Sequence, residues 1–307
     1  MSRRLSVLFL LVGLVLAGCA DREPAPAPGP QQDGAFPVQL SPAGAPSVTV
    51  AKRPERIVAL SPTVTEVLYA VGAGSQVVAV DSASDFPPEV PKTPLSGLSP
   101  DPEAIAGHNP DLVVVSADRD GKLAAALQRT GVTTLVVPDA KTLNEAYSHI
   151  ELLGKATGHA AEGADVARRT REDLDKIVAE TPKPAKPLRY YHEVDQTFYS
   201  VTSGTFIGQV YAKFGLANIA DGGGVGDYPQ LSSEKVLQAN PDLIFLADTK
   251  CCGQSPQTVA QRPGWNTLTA VKNGNVVALN DDVASRWTPR IVELARAVGA
   301  AVAKAGK

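Results

Sequence analysis

The sequence predicts an α/β protein made of two similar Rossmann-like lobes joined by a single long backbone helix. Three observations predict this fold class: a phrase of 13 residues that occurs twice, an alternation of short β-branched segments with helical patterns in both halves, and one long polar helical pattern between them. Continuous apolar strands that alternate with helices are typical of parallel sheets covered on both faces. The chain of 307 residues is long enough for two such lobes.

The repeated phrase reads EAIAGHNPDLVVV at 103–115 and EKVLQANPDLIFL at 234–246. All identical positions share one offset, 234 − 103 = 131, and no gap is needed. Self-similarity of this kind indicates a repeated structural unit. The repeat therefore predicts the same helix, Asn-Pro turn and strand once in each lobe.

The N-terminal half begins with a strand at 56–60, after which Pro62 and Gly72 mark the first position and the C-cap of a helix. The elements that follow are a strand at 77–81, a helix at 102–108, a strand at 112–116, a helix at 122–129, a strand at 133–137 and a helix at 143–156.

The helical pattern at 159–180 is stopped by TPKPAKP and is the candidate connector between the lobes. The C-terminal half then predicts strands at 188–194, 243–247 and 275–279 and helices at 206–214, 232–239 and 290–304.

The N-terminus has the pattern of an export signal. Two arginines precede an apolar run at 5–16, which is too short to span a membrane and is followed by LAGC. LAGC resembles the bacterial lipobox, in which Cys19 would be lipidated and become the mature N-terminus. An ordinary signal peptide with an incidental cysteine is the alternative. The Pro-, Gly- and Gln-rich residues that follow are typical of a linker.

These patterns divide the chain into five segments and predict an extracytoplasmic protein that a lipid on Cys19 anchors to the outer face of the cell membrane. The segments are a lipoprotein signal peptide at 1–19, a disordered tether at 20–46, an N-terminal lobe at 47–157, a bridging helix at 158–182 and a C-terminal lobe at 183–307.

Composition and motifs argue against several functional classes. The net charge of −3 provides no basic face for nucleic acid. The sequence contains no glycine-rich phosphate loop, no G-x-S-x-G elbow and no H-E-x-x-H helix, so neither an enzyme nor a cofactor is predicted. The histidines lack metal-ligand spacing and fall on different elements, so no metal site is predicted; they are His108, His149, His159 and His192.

Ligands of open parallel sheets bind outside the carboxyl ends of the strands. In a chain that is only 5% aromatic, those ends carry five aromatic side chains, namely Phe86, Phe198, Tyr199, Tyr228 and Trp287. Any one of them could instead belong to the core. As a set they predict a cleft between the lobes that binds a bulky, partly apolar small molecule.

Five segments together resemble the substrate-binding lipoproteins of ABC importers for cobalamin and ferric siderophores: RPERIVALSPTVTEVLYAVG, SDFPPEV, PEAIAGHNPDLVVVS, TSGTFIGQV and YPQLSSEKVLQANPDLIF. The resemblance covers 48–303 and implies two lobes, one rigid bridging helix, a ligand cleft and a small closing motion. It also implies that Phe86 and Tyr228 touch a corrin ring, although relatives often carry larger aromatics there.

The charge of the cleft bears on the identity of the ligand. Ferric siderophores and haem are anionic, so their receptors commonly present Arg or Lys, whereas cobalamin is nearly neutral. The few candidate cleft cations, Arg119, Lys250 and Arg286, favour a corrinoid, with a ferric siderophore or haem as the alternative. The predicted ligand-binding residues are Phe86, Arg119, Phe198, Tyr199, Ser203, Thr205, Tyr228, Arg286 and Trp287.

Glu103 and Glu234 open the two copies of the repeat. A favourable interaction with the helix N-terminus would explain a glutamate in either place. The resemblance implies a further role, in which one glutamate on each lobe docks onto arginines of a membrane permease. The predicted partners are therefore an ABC permease with its ATPase, and the protein is expected to be a monomer.

Cys251 and Cys252 are the remaining thiols if Cys19 is lipidated. An even number of cysteines in an oxidising compartment favours a disulfide, which here would join adjacent residues. Two free thiols or a pair of soft metal ligands are the alternatives. Since the pair follows the strand at 243–247, a closed ring there could press against the ligand.

Overall fold

The structure is a computed structural model that describes residues 36–224 and 226–306. The N-terminal lobe contains β1 (Val38–Leu40), β2 (Val48–Val50), β3 (Ile57–Leu60), α1 (Pro62–Ala70), β4 (Val77–Val80), α2 (Pro102–Ala106), β5 (Leu112–Val115), α3 (Lys122–Gln128), β6 (Thr133–Val136) and α4 (Leu143–Thr157). The bridging helix is α5 (Ala160–Glu180).

The C-terminal lobe contains β7 (Arg189–Glu193), α6 (Phe206–Lys213), β8 (Ala217–Asn218), α7 (Ser233–Ala239), β9 (Leu243–Leu246), α8 (Thr249–Cys252), α9 (Pro256–Ala260), α10 (Thr269–Lys272), β10 (Val276–Ala278), α11 (Asp281–Ser285) and α12 (Ile291–Ala305). The predicted α/β class with parallel sheets is confirmed.

The two main sheets have the same topology. The strand order is β4-β3-β5-β6 in the N-terminal lobe and β8-β7-β9-β10 in the C-terminal lobe, and every pair is parallel. Within each of these sheets, the strand that comes first in the chain (β3 or β7) therefore lies between the second (β4 or β8) and the third (β5 or β9). Strands β3, β5 and β9 are buried along their full length, which explains their uninterrupted apolar sequences.

The aspartate of each NPDL turn ties the third strand of the sheet to the first. The carboxylate of Asp111 accepts the backbone N–H of Arg56 at 3.0 Å, and that of Asp242 accepts the N–H of Arg189 at 2.9 Å. Each aspartate also donates its own N–H to the carbonyl of the same arginine. Both asparagines of the repeat adopt the left-handed conformation, with φ of 49° and 43°.

Helix α5 packs closely against helices of both lobes. At its crossing with α4, a Cβ added to Gly154 would lie 2.8 Å from Cα of Gly163, so this approach requires glycine. On its other side, Lys213 of α6 pairs with Asp175 at 2.6 Å. One buried apolar cluster continues through α4, α5, α6 and α12, and a smaller cluster fills the far face of each sheet.

The prediction of a disordered tether up to residue 46 was wrong for its last part. Strands β1 and β2 pair antiparallel, with Val38 opposite Val50, and they precede the first predicted strand. Leu40 and Val50 join the core, and Phe36 packs against it. The short apolar segment FPVQL thus outweighs the surrounding Pro and Gly. Residues 20–35 lie outside the described part of the chain.

The predicted strands agree with the structure to within one residue at each end, and the predicted helices to within two. The elements that the sequence did not reveal are short: the strands β1, β2 and β8 and the helices α8 to α11.

Candidate functional site

An ion-pair network joins the two lobes at the carboxyl ends of their strands. Lys250 in α8, just after β9, places its Nζ 2.6 Å from Asp85 of the N-terminal lobe and 2.9 Å from Asp282 in α11. Asp85 lies in the SDFP turn after β4. The network therefore crosses the predicted cleft.

Arg286 forms the second crossing. Its guanidinium contacts Glu66 of α1 and Asp282 at 2.6 Å each, and Asp85 at 3.5 Å. Glu66 is only 4% exposed. A buried carboxylate requires a partner, and Arg286 provides one from the opposite lobe.

The electrostatics of the network favour the charged forms. Lys250, through its side-chain hydrogen bond, and then Arg286 hold the pKa of Asp85 below its usual range. Asp85 and Asp282 raise the pKa of Lys250 in return. Asp85 and Lys250 are therefore ionised at neutral pH and form a pair of opposite charges across the cleft.

Phe86 lies beside this network and is 38% exposed. The guanidinium carbon of Arg290 is 4.0 Å from the ring centroid, a cation–π contact between the lobes. The two side chains border a cavity of about 250 Å³ that is lined by Glu66, Tyr69, Ala70, Phe86, Pro87, Glu89, Pro289 and Arg290. The structure thus brings Phe86 and Arg286 of the predicted set to one region.

Tyr199 and Tyr228 lie on neighbouring segments of the C-terminal lobe. Tyr199 forms an isolated bridge with Gln230, and the two tyrosines are 40% and 52% exposed. Burial, followed by the charges of Asp139 and Asp227, raises the pKa of Tyr228. Since Asp139 follows β6, Tyr228 lies close enough to the N-terminal lobe to sense its charge.

Trp287 is not an exposed ligand platform. It is 2% exposed, its indole N–H points to Oδ1 of Asp139 at 3.5 Å, and its ring meets His149 of α4 edge-on with centroids 4.9 Å apart. Trp287 therefore packs between the lobes. Burial lowers the pKa of His149.

Phe198 lies apart from the network, because it stacks on Trp265 with centroids 5.7 Å apart and lies 5.6 Å from the guanidinium of Arg262. It borders a different cavity, of about 640 Å³, between α7 and α9. Glu234 lies on the rim of that cavity.

Ser203 and Thr205 also have structural partners. Both Ser203 N–H and its hydroxyl donate to Asp221, at 2.9 and 2.7 Å. Thr205 is 3% exposed and caps α6 by accepting the N–H of Gly208 at 2.9 Å. The TSGTF motif thus organises the start of α6.

Arg119 is exposed and borders a cavity of about 910 Å³ between α2 and α3. That cavity also contains Leu98, which is 99% exposed. Arg119 therefore lies outside the ion-pair network.

Sequence reasoning missed the carboxylates Glu66, Asp85 and Asp282. One signal was present for each: a lone acidic residue within an apolar helix, an acidic residue beside the predicted Phe86, and an Asp-Arg pair spaced i, i+4. The spacing reveals the last pair, but no local pattern shows that Glu66 faces an arginine 220 residues away in the chain.

The C-terminal lobe has a second, buried ionic cluster at the ends of β7 and β9. Arg262 holds Glu193 through two hydrogen bonds of 2.5 and 2.6 Å. Asp248 is fully buried, and neither of its carboxyl oxygens has a hydrogen-bond partner among the described residues. Burial and then the charge of Glu193 raise the pKa of Asp248 to about 7, while Arg262 opposes this shift.

Cys251 and Cys252 are joined by a disulfide at the end of α8. The carboxylate of Asp281 accepts the backbone N–H groups of Thr249, Lys250 and Cys251 at 2.8–3.0 Å. Burial alone would raise the pKa of Asp281, but these N–H donors outweigh it and lower the value.

Glu103 and Glu234 occupy matching positions. Each is the second residue of its helix, follows an N-cap (Asp101 or Ser232) and is exposed. The backbone N–H of Glu234 and then the Ser232 side chain lower the pKa of Glu234. Both carboxylates are thus presented to solvent from the start of the repeated helix.

Within residues 36–224 and 226–306, no three His, Cys, Asp or Glu side chains come together as a metal-binding group. The same residues include no helix that is long and apolar enough to cross a membrane. Cys19 lies outside them.

Two parallel α/β lobes, one bridging helix and a cleft lined by strand ends define a two-lobed binding protein. The sequence profile of the periplasmic binding protein family matches residues 57–283, and the chain belongs to this family of substrate-binding transport proteins.

Individual relatives agree with this assignment. The chain is 31% identical to the uncharacterised ABC transporter substrate-binding lipoprotein YvrC of Bacillus subtilis, over 93% of this chain and 92% of that protein. It is 30% identical to a vitamin B12-binding protein of Vibrio cholerae, over 78% and 86%.

Two solved structures share the fold. The periplasmic vitamin B12-binding protein BtuF of Vibrio cholerae superimposes with a TM-score of 0.65 at 29% identity, covering 83% of this chain and 98% of BtuF. A possible iron-binding periplasmic solute-binding protein of Staphylococcus epidermidis gives a TM-score of 0.70 at 26% identity, covering 82% and 99%.

Proposed function

We propose that this chain is the extracytoplasmic receptor of an ABC importer, which captures a corrinoid of the cobalamin type and delivers it to a membrane permease. The observation that carries the ligand class is that the basic side chains of the cleft network are already paired with carboxylates. Three basic side chains face three carboxylates there: Lys250, Arg286 and Arg290 against Glu66, Asp85 and Asp282.

The pairing of these cations favours a ligand without net charge. Each of the three cations already has a carboxylate within 3.6 Å. An anionic ferric siderophore or haem would have to displace a carboxylate from a partly desolvated ion pair, which is costly. A nearly neutral, amide-rich corrinoid can instead share hydrogen bonds with both signs of charge.

Exposed aromatic surface favours a large ligand with an apolar face. Phe86, Tyr199 and Tyr228 retain 38–52% of their surface in contact with solvent. Exposed aromatics beside a few polar groups are typical of small-molecule sites. The vitamin B12-binding relatives of similar length support the same ligand class.

Transport requires a partner, and Glu103 and Glu234 are the proposed contacts. They are exposed at the same position of equivalent helices, one on each lobe. A pair of acidic points fits a permease that presents arginines. We further propose that a lipid on Cys19 tethers the receptor, a monomer, to the outer face of the cell membrane.

The test is a titration of purified residues 20–307 with cyanocobalamin and, separately, with ferrichrome. Tryptophan and tyrosine fluorescence and the visible spectrum of the ligand report binding. We expect saturable binding of cyanocobalamin and none of ferrichrome. Tight ferrichrome binding without corrinoid binding would overturn the ligand assignment and favour the siderophore alternative. The likeness to a possible iron-binding protein of Staphylococcus epidermidis is the reason for including an iron-containing ligand in the test.

A pair of arginine variants tests whether the charges of the network matter for binding. Arg286→Met removes one cation of the network and is expected to weaken cyanocobalamin binding and to loosen the contact between the lobes. Arg129→Met changes an exposed arginine outside the ion pairs described above and should leave the affinity unchanged.

A further inference from the structure

The disulfide between Cys251 and Cys252 closes a ring across a single peptide bond, with the two Cα atoms 3.8 Å apart. A disulfide is generally considered to stabilise a fold by restricting the unfolded chain, and this effect grows with the length of the loop that it closes. Here the sequence separation is 1, so the effect on the unfolded chain is minimal. The bond therefore has little reason to exist as a fold stabiliser.

Backbone hydrogen bonds on both sides hold the disulfide ring in place. Asp281 accepts the N–H groups of Thr249, Lys250 and Cys251, so the first turn of α8 is fixed to the start of α11. The N–H of Cys252 and that of Gln254 donate to the carbonyl of Asp248, which fixes the other side. A closed ring on a fixed backbone cannot change its side-chain rotamers as two free thiols would.

The ring also lies at the cleft. Lys250, the residue immediately before it, reaches Asp85 of the opposite lobe at 2.6 Å. Cys251 is exposed, and Cys252 is half-buried. The ring thus follows directly, along the chain, a residue of the ion-pair network, in the short helix after the carboxyl end of β9.

The chemistry of the ring differs from that of its neighbours. Bonded sulfurs have no S–H to donate, are polarisable and lose little hydration when covered. Lys250, the residue before them, is charged and pairs with Asp282. An apolar, immobile surface among charges suits contact with the π-face or methyl groups of a large ligand, because dispersion contacts form without further loss of side-chain entropy.

We propose that the Cys251–Cys252 disulfide is a ligand-contacting platform of the C-terminal lobe, and that its reduction weakens ligand binding. The inference rests on the proposed receptor function. Reduction by a small dithiol such as dithiothreitol transfers two electrons and two protons: the S–S bond breaks, both cysteines become thiols, and the dithiol closes to its own cyclic disulfide. The exposed Cys251 makes this exchange accessible to solvent.

The first measurement establishes the bond. Iodoacetamide should add to neither residue in the unreduced protein and to both after dithiothreitol. Alkylation of either residue without reductant would overturn the proposal.

The second measurement is the affinity of three proteins for cyanocobalamin, after any reductant has been removed: the oxidised wild type, Cys251→Ser with Cys252→Ser, and Cys251→Ala with Cys252→Ala. We expect both variants to bind about tenfold more weakly, which corresponds to ~1.4 kcal/mol. Wild-type protein that is reduced and alkylated should also bind more weakly. Circular dichroism and the thermal midpoint should remain close to those of the wild type.

Control and contrary outcomes separate the two proposals. Lys272→Ala, at an exposed site in α10, should bind as the wild type does. Wild-type affinity in both double variants would overturn the platform and leave the receptor function intact. If the wild type binds only ferrichrome, the corrinoid assignment fails, and the platform is judged by the same comparison with ferrichrome. If it binds neither ligand, both proposals fail.

Discussion

The two lobes share a scaffold but differ in the chemistry at their strand ends. In the first strand of each sheet, the last paired position is Leu60 in the N-terminal lobe and Glu193 in the C-terminal lobe. Two residues beyond the third strand, the N-terminal lobe has an exposed Ala117, whereas the C-terminal lobe has a fully buried Asp248. At these two positions the N-terminal lobe thus has an apolar and a small residue, whereas the C-terminal lobe has a buried ionic cluster.

This difference shows which residues of the repeated unit are constrained by the fold. Strand register depends on backbone pairing and on the NPDL turn, whose aspartate makes the same hydrogen bonds in both lobes. Side chains at the strand ends take no part in that pairing. They are therefore free to differ, provided that a buried charge acquires a partner, as Glu193 does in Arg262.

The largest effect is expected from Arg262→Met. Glu193, which is fully buried, would lose its cation, and breaking a buried pair from one side costs about 3–5 kcal/mol. Urea denaturation followed by circular dichroism measures this loss. Glu193→Leu combined with Arg262→Met copies the apolar end of the N-terminal lobe and should recover part of the stability. A loss below about 1 kcal/mol in the single variant would contradict the role assigned to the pair.

The next largest effect, on transport, is expected from the exposed glutamate that each lobe carries at the start of its repeated helix. Glu103→Arg combined with Glu234→Arg should abolish transport of radiolabelled cobalamin into cells while the affinity of the purified protein stays unchanged. Each single reversal should cost less than the double, because the two contacts lie on different lobes. Glu162→Arg is the matched control, since Glu162 is also exposed in the first turn of a helix. Normal transport by the double variant would rule out docking through these residues.

A smaller effect on stability is expected from Asp248, whose equivalent in the N-terminal lobe is Ala117. Its pKa of about 7 is above the usual 3.8, so the folded protein holds a proton that the unfolded chain releases. Its contribution to stability is present at low pH and is lost as pH rises towards and past 7. Between pH 6.5 and 8 we expect a loss on the order of 1 kcal/mol.

Asp248→Asn isolates that contribution. The lowered pKa values of His149 and His192 make stability rise with pH below about 6.5, so the comparison is best made above that value. Wild type and variant are unfolded in urea at several pH values, and the variant should lose the decline. Asp173→Asn, at an exposed site, should retain it. Parallel pH profiles for wild type and Asp248→Asn would contradict the buried proton.

The smallest effect is a difference in stability between glycine substitutions in the two NPDL turns. Both asparagines have positive φ, which glycine adopts without strain. Only Asn240 also accepts a hydrogen bond with its side chain, from the N–H of Thr269 at 2.8 Å; among the described residues the side chain of Asn109 has no such partner. Asn240→Gly should therefore be about 1 kcal/mol less stable than Asn109→Gly by thermal unfolding. Equal midpoints would mean that this hydrogen bond contributes nothing.

The sequence predicted the scaffold well because its signals are local. Buried strands such as β3, β5 and β9 are uninterrupted apolar runs, and the Pro and Gly residues beside α1 mark its ends. The 131-residue offset of the repeat predicted that both lobes would carry the same turn. The hairpin of β1 and β2 was missed because each strand has only three residues within a Pro- and Gly-rich segment.

The candidate site was harder to predict because its contacts are long-range. The sequence pointed to Phe86, Arg286 and the tyrosines as strand-end residues, but nothing near Glu66 in the chain indicates its pairing with Arg286. Phe198 and Trp287 were assigned to ligand because they are aromatic, and the structure packs them on Trp265 and His149 instead. Strand-end position alone does not distinguish a side chain that faces a cleft from one that supports its wall.

The apolar cluster that continues through α4, α5, α6 and α12 affects whether either lobe can fold without the other. A fragment that contained one lobe alone would leave the faces of these helices uncovered, and such a surface promotes aggregation. We expect residues 36–306 to give a single calorimetric transition and half-chains to be insoluble. Although the two lobes repeat the same helix, turn and strand, the shared cluster is expected to make them unfold together as one unit.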